Sequence, residues 1–335
     1  GIEEFIILDL FRNKKPVYKN SEAIIHDIGD GVLNVEFTSK SNAIGEGTGL
    51  AMQKAIEIAE EEGWKGVVIG NNAKQFSVGA NLMMVAMLAF QKDFKKLNEI
   101  TNDFQQVNMR LRYSKIPVVV ATQGYVFGGG VELSMHADSV MATAESYIGL
   151  VEVGVGLLPG GGGTKEFAVR LSESMYPGDV VIPKLIERFK TIATAQVATS
   201  ADEAFDLKYL DHTRDFRIIN TNRAIAEAKK RVLHLSDTYV MPDKKEVKVM
   251  GRTGMATLLA AINEFKLGGF ITEYESHIAK KIAYVICGGD LTGEHIVSEQ
   301  YLLDIEREAF LSLLGEQKTM ERIQYMLENN KPLRN

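Results

Sequence analysis

GYVFGGGVELSMHADSVMATAESYIGLVEVGVGLLPGGGGTK, residues 124–165, is the stretch on which the reading of this 335-residue chain turns. It holds two glycine clusters and two acidic residues, Glu132 and Glu152, each set among mostly apolar or small neighbours. The apolar run Ile116 to Ala121 predicts a strand and Val131 to His136 a helix, with Gly128, Gly129 and Gly130 between them. A strand, a glycine turn and a helix start place backbone N–H groups at the positive end of a helix, where they can hold developing negative charge. Glu132 falls in the first turn of that helix. Glu152 belongs to a second apolar segment, Ile148 to Leu158, that runs into Pro159 and four glycines. Burial of a carboxylate favours its protonated form, so a Glu in such surroundings is a candidate acid/base.

Outside this stretch the composition is that of an ordinary globular protein, with 45% hydrophobic and 24% charged residues. A net charge of −6, with no run of Lys and Arg, argues against a nucleic-acid partner. The single cysteine, Cys287, excludes an intramolecular disulfide and suits a reducing, cytoplasmic compartment. The first twenty residues lack a signal-peptide pattern, and no apolar run approaches the ~18 residues needed to span a membrane. Because the sequence begins at Gly1 rather than Met, a fragment of a longer protein is one expectation.

Along the chain, Ala23 to Ile28 and Val32 to Thr38 predict strands around an Asp30-Gly31 hairpin turn. Leu50 to Glu62 has helical periodicity and stops at Gly63. Gly66 to Gly70 predicts a short strand, and Leu82 to Arg112 one long helical stretch. This alternation of strands and helices argues for a sheet covered by helices, a mixed α/β class. Ser200 to Glu203 predicts a capping box. From Asn220 onward the pattern is almost wholly helical. The domains expected are therefore 1–21, a linker or the tail of a preceding domain; 22–215, the mixed α/β domain; and 216–335, a helical extension.

Both nucleotide-binding readings of the glycine clusters fail. GGGGTK (160–165) puts Thr164 before Lys165, whereas a phosphate-binding loop needs Gly-Lys-Ser/Thr. Gly154-Val-Gly156-Leu-Leu-Pro159 carries Pro where a dinucleotide fingerprint needs its third Gly. Tight turns and close packing are the plainer reading of either cluster. Glu132 and His136 stand four apart, as metal ligands can, but two ligands make no site, and no metal is expected. Ser77 lies in no GxSxG elbow, which argues against a serine hydrolase. The first 60 residues contain no strand-linked GxGxxG, which argues against a dehydrogenase within this chain.

GYVFGGGVEL followed by ESYIGLVEVGVGLLPGGGGTK resembles the signature of the crotonase (enoyl-CoA hydratase/isomerase) superfamily, and KQFSVGANL (74–82) resembles the family's other oxyanion-loop motif. All three stand in the family's order and at about its spacing. NKKPVYKN near the start and EREAFLSLLGEQKTMERIQYMLENNKPLRN at the end are similar to one bacterial type, a bifunctional 3-hydroxyacyl-CoA dehydrogenase/enoyl-CoA hydratase with its hydratase portion C-terminal. The resemblance covers nearly the whole chain, most strongly 22–215. Two departures are visible: Asn81 where the motif most often has Asp, and Val151 where many members have Pro.

The resemblance implies a ββα spiral core with a C-terminal all-helical extension. It implies reversible syn addition of water to a trans-2-enoyl-CoA, giving a 3-hydroxyacyl-CoA in fatty-acid β-oxidation. Glu132 and Glu152 would be the two catalytic carboxylates, and the backbone N–H groups of Ala80 and Gly129 the oxyanion hole. Val78, Gly79, Gly128 and Leu82 would contact the substrate. No cofactor is implied beyond the CoA that arrives with the substrate, and NAD only if a dehydrogenase part lies outside this chain. The family's habit implies a homo-oligomer, trimer or dimer. A Δ3-Δ2-enoyl-CoA isomerase in the same site and a non-catalytic acyl-CoA-binding module are the alternatives.

Overall fold

The computed structural model describes residues 4–335. The described chain divides into two compact units, the first formed by residues 4–81, 106–149 and 197–243, the second by 82–105, 150–196 and 244–335.

The first unit carries a mixed sheet whose strands follow one another across it in chain order. These are β1 (Tyr18–Lys19), β2 (Ala23–Asp27), β3 (Val32–Phe37), β4 (Gly66–Ile69), β5 (Val118–Phe127), β6 (Ser139–Gly149) and β7 (Val197–Ala198), with β8 (Phe216–Ile218) also paired to β6. The pairs β1–β2, β2–β3 and β6–β7 are antiparallel, whereas β3–β4, β4–β5, β5–β6 and β6–β8 are parallel. The expected hairpin turn is present, with Asp30 and Gly31 both at positive φ.

Twelve helices are described: α1 (Glu46–Glu62), α2 (Leu82–Phe90), α3 (Phe94–Arg112), α4 (Gly129–His136), α5 (Gly163–Glu173), α6 (Val181–Ala193), α7 (Ala201–Asp206), α8 (Ala224–Ser236), α9 (Gly251–Leu267), α10 (Glu273–Ile286), α11 (Glu299–Leu314) and α12 (Gln317–Asn329). Every residue of β3 is buried, as in a strand covered on both faces. α1 packs on β2, β3 and β4, and α8 on β3 to β6. The core beneath α8 joins Ile225, Ala228 and Val232 to Ile28, Val68 and Val119.

Several elements differ from the sequence reading. Ile6 and Leu8, in the stretch read as a linker or tail, are buried in that same core, and the Leu8 N–H donates to Asn72 Oδ1 at 2.7 Å. The long helical stretch 82–112 is two helices. They part at Gln91–Asp93, where Lys92 turns to φ +56° and the Asp93 carboxylate accepts from the Lys96 N–H at 3.1 Å, a local bond that competes with helix continuation. Ser200 caps α7, accepting from the Glu203 N–H at 3.1 Å, but Glu203 reaches back to the Thr199 N–H at 2.8 Å rather than to Ser200. Within the segment read as all-helical, β8 and α8 belong to the first unit. In the second unit β9 (Glu246–Val249) and β10 (His295–Ser298) form an antiparallel pair. Pairing of strands nearly fifty residues apart is set by tertiary contact, to which local periodicity is blind.

At the edge of β6, Asp138 accepts hydrogen bonds from the Val118 N–H and the Tyr239 hydroxyl, each at 2.8 Å. Burial is the larger influence and raises its pKa to about 6, although both bonds and the guanidinium groups of Arg214 and Arg112 oppose it. The folded chain thus binds this proton more tightly than the unfolded chain. The resulting stability is complete below the ordinary carboxylate pKa near 3.8 and is lost as pH rises to about 6. The loss is on the order of 2–3 kcal/mol. Asp138→Asn keeps an acceptor for Val118 and removes the titration. In urea unfolding, its stability relative to the parent should rise between pH 4 and pH 7; a difference independent of pH would contradict the assignment.

Candidate active site

The first unit brings two loops into contact. Between Thr122 and Gly124, β5 shifts register against β6. Gly124 sits at φ +57°, and a Cβ there would lie 2.2 Å from the Lys74 carbonyl oxygen. This bend lets residues 76–77 run alongside the second half of β5. Phe76 N–H donates to Gln123 O at 2.9 Å, Ser77 N–H to Tyr125 O at 3.1 Å, and Phe127 N–H to Ser77 O at 3.1 Å. The chain then passes through Val78, which is partly exposed, and Gly79, which is buried at φ +95°. A Cβ on Gly79 would stand 3.0 Å from Phe127 O and 3.3 Å from Gly129 N. The loop at 78–80 therefore lies directly against the turn that opens α4.

Hydrogen bonds fix both loops without consuming two of their donors. Gly79 N–H is taken by Ser77 Oγ at 3.1 Å; Gly79 O and Asn81 N–H are taken by Ile44, at 2.8 and 3.1 Å. Gly128, at φ +54° and ψ −118°, donates to Gly149 O at 3.0 Å, and its own carbonyl receives the N–H groups of Val131 and Glu132. The N–H groups of Ala80 and Gly129 make no backbone hydrogen bond among the described residues. Ala80 is exposed, and Gly129 is the first residue of α4, where an N–H has no partner within the helix.

Glu132 is buried in the first turn of α4, as expected. Its carbonyl oxygen accepts from His136 Nδ1–H at 2.6 Å, which assigns His136 to the helix backbone. No three His, Cys, Asp or Glu side chains gather as a ligand set among the described residues.

Glu152 and Leu82 lie in the second unit. Leu82 opens α2 and is half-buried. Glu152 begins a single 3-10 turn, Glu152–Val155, that ends at Gly156 with φ +79°. Both of its carboxylate oxygens are buried. Gly154 N–H donates to Val151 O and Leu157 N–H to Glu152 O, each at 3.0 Å. The turn is held from outside by α12: Thr319 Oγ1 donates to Gly156 O at 2.7 Å and Arg322 Nη1 to Val153 O at 3.0 Å.

The second glycine cluster is bound by the chain's own charge. Glu306 of α11 accepts from the N–H groups of Gly162 and Lys165, at 2.8 and 2.9 Å, and from Gln105 Nε2 at 3.0 Å. The ammonium of Lys165 is buried between Glu166, at 2.7 Å, and Glu299, at 2.9 Å. A carboxylate thus stands where a phosphate-binding loop would hold its anion, at the start of α5.

Sequence reasoning missed these supports. Ser77 Oγ donates to Asn42 O at 2.8 Å, and Gln123 Nε2 holds the Asn71 and Ala73 carbonyls at 3.1 and 2.9 Å. Ser77 stands inside a quoted motif, yet its role depends on Asn42, thirty-five residues away, for which no local signal exists.

Gly79 sets the approach of the two loops. Gly79→Ala should lower stability by about 1–3 kcal/mol, from the strained φ and the contact with Phe127 O. Ala80→Gly, as the control, should change it by under about 1 kcal/mol. Equal urea midpoints for the two variants would show that this contact does not set the loop.

The pattern of the Enoyl-CoA hydratase/isomerase family matches residues 27–176. A protein of Bacillus subtilis strain 168 named "Probable 3-hydroxyacyl-CoA dehydrogenase" is 44% identical over 327 residues, covering 97% of this chain and 41% of that protein. Among solved structures, an enoyl-CoA hydratase from Bacillus halodurans aligns with a TM-score of 0.60 at 15% identity, over 90% of this chain and 98% of its own. A carnitinyl-CoA dehydratase from Mycobacterium thermoresistibile aligns at 0.64 and 17%, over 93% and 91%. At such identities these two structures speak for the fold alone. The chain spans about two fifths of the length of the curated relatives it matches first. Among the described residues no helix is long and apolar enough to cross a membrane.

Proposed function

We propose that the chain, whose residues 27–176 match the pattern of the Enoyl-CoA hydratase/isomerase family, is a crotonase-superfamily enzyme that hydrates trans-2-enoyl-CoA thioesters to 3-hydroxyacyl-CoA in fatty-acid β-oxidation. The observation that supports this reading is the close approach of the Gly79 loop to the turn that opens α4, where a Cβ on Gly79 would stand 3.0 Å from Phe127 O and 3.3 Å from Gly129 N, in the unit that also buries Glu132. In this reading the thioester carbonyl oxygen accepts from the Ala80 and Gly129 N–H groups. Its negative charge grows as the hydroxyl of water bonds to C3 and the C2–C3 double bond becomes an enolate. Losing one such donor costs roughly 3–4 kcal/mol of transition-state stabilisation. Glu132 orients the water and helps take its proton. Glu152 delivers a proton to C2 and is left ionised while Glu132 holds the proton from water; proton exchange with solvent then resets the pair, so one water is consumed per turnover. Val78, Gly79, Gly128 and Leu82 contact the thioester and the first carbons of the acyl group.

The reaction as proposed needs no metal and no bound cofactor. NAD would belong to a dehydrogenase part of a longer bifunctional protein, and a homo-oligomer in the cytoplasm is the setting we propose for it.

Loss of enoyl-thioester ultraviolet absorbance, followed with crotonyl-CoA and a longer trans-2-enoyl-CoA, tests the reading. The parent should turn over, and Glu132→Gln and Glu152→Gln should each lose about a hundredfold or more in kcat. Turnover of a 3-enoyl-CoA that survives in one of the two variants, without hydration in the parent, would point to an isomerase. Tight thioester binding with no turnover would point to an acyl-CoA-binding module.

A further inference from the structure

We propose that Thr319 and Arg322 of α12 are positioning residues for Glu152, holding the backbone of its turn so that its carboxyl group stays in place for proton delivery; the proposal rests on the hydratase reading above. A single 3-10 turn has few bonds of its own and little cooperativity to resist displacement. Here two of its carbonyls are claimed from outside. Thr319 Oγ1 donates to Gly156 O, at 2.7 Å, and Arg322 Nη1 to Val153 O, at 3.0 Å. These carbonyls stand one and four residues beyond Glu152 in the chain, so the two bonds bracket the rest of the turn.

The contact leaves no slack. Gly156 has φ +79°, and a Cβ on it would lie 2.7 Å from Thr319 Cα and 2.8 Å from Thr319 Oγ1. Both side chains of α12 are fully buried. Arg322 is itself held, by Glu275 Oε2 at 3.0 Å and by Asn335 Oδ1 at 2.6 Å. Arg334 pairs with the other oxygen of Glu275 at 2.7 Å, so the guanidinium that reaches Val153 is fixed at both ends of its fork. A buried ion pair is weak support for stability in general, and apolar residues of the same volume often serve as well. What an apolar residue does not do is hold a particular carbonyl, which here belongs to the turn that starts with Glu152. Proton transfer is sensitive to such placement, and about 1 Å of misplacement can cost on the order of a hundredfold in rate.

The test compares Thr319→Val, Thr319→Ser and Arg322→Lys with the parent in the full chain. Hydration of crotonyl-CoA gives kcat and KM across pH, and amide hydrogen exchange read by mass spectrometry follows residues 152–158. Thr319→Val should lose about 10- to 100-fold in kcat with KM within about twofold, and should exchange faster at 152–158 but not in α1, which neither side chain touches. Thr319→Ser, which keeps the donor, should restore both. Arg322→Lys, which keeps the charge and loses the fork, should follow Thr319→Val, and it carries the comparison if Thr319→Val does not fold. Unchanged kcat in Thr319→Val, or equal losses in the Ser and Val variants, would overturn the proposal. A parent that does not hydrate crotonyl-CoA would sink the hydratase reading instead. The exchange arm would then decide the clamp alone: unaltered exchange at 152–158 overturns it, and acceleration confined to that segment supports it.

Discussion

Two stretches of main chain can offer their N–H groups to a common point only if no side chain keeps them apart. In the first unit that constraint falls on Gly79, whose missing Cβ lets the loop close on Phe127 O and the Gly129 nitrogen. The rest of the arrangement serves this approach. The register shift of β5 at Gly124 brings the strand's second half to the loop, Ser77 ties the loop to Asn42, and Ile44 holds it on both sides of Ala80. Each bond satisfies a group that burial would otherwise penalise, and none of them draws on the N–H of Ala80 or of Gly129.

The second unit solves a related problem in charge. The N-terminus of α5 opens on the last of four glycines, and its free N–H groups and dipole attract an anion. Glu306 supplies it from within the chain, and Lys165 with Glu166 and Glu299 completes a buried set of charges. Removing one member of such a set strands the others without compensation, which ties α5 and α11 to each other more by penalty than by gain.

The strand, glycine turn and helix of residues 118–136 were legible because their signals are local. A strand, a turn and a helix follow from periodicity, and Gly128 through Glu132 lie within one turn of α4. The order of the strands was legible in class but not in pairing. Strand β8 joins β6 across some seventy residues, and β9 pairs with β10 across about fifty. The stop at Lys92 escaped because its cause is one residue at positive φ and one capping carboxylate, neither of which breaks an apolar pattern. The supports of the Glu152 turn escaped for the opposite reason: Thr319 and Arg322 sit on an amphipathic helix whose periodicity is explained without them. Read as a linker, the first residues hid the burial of Ile6 and Leu8, because two apolar side chains in a short segment carry no period.

The bend at Gly124 has a genetic consequence. Every missense change of a glycine codon introduces a Cβ, and here that atom would meet the Lys74 carbonyl oxygen at 2.2 Å, on a backbone already at φ +57°. Drift at this codon is therefore confined to its third base. The donors of Ala80 and Gly129 are main-chain atoms, which almost any codon encodes alike. The heritable record of this loop contact is thus written in a residue that offers it no donor.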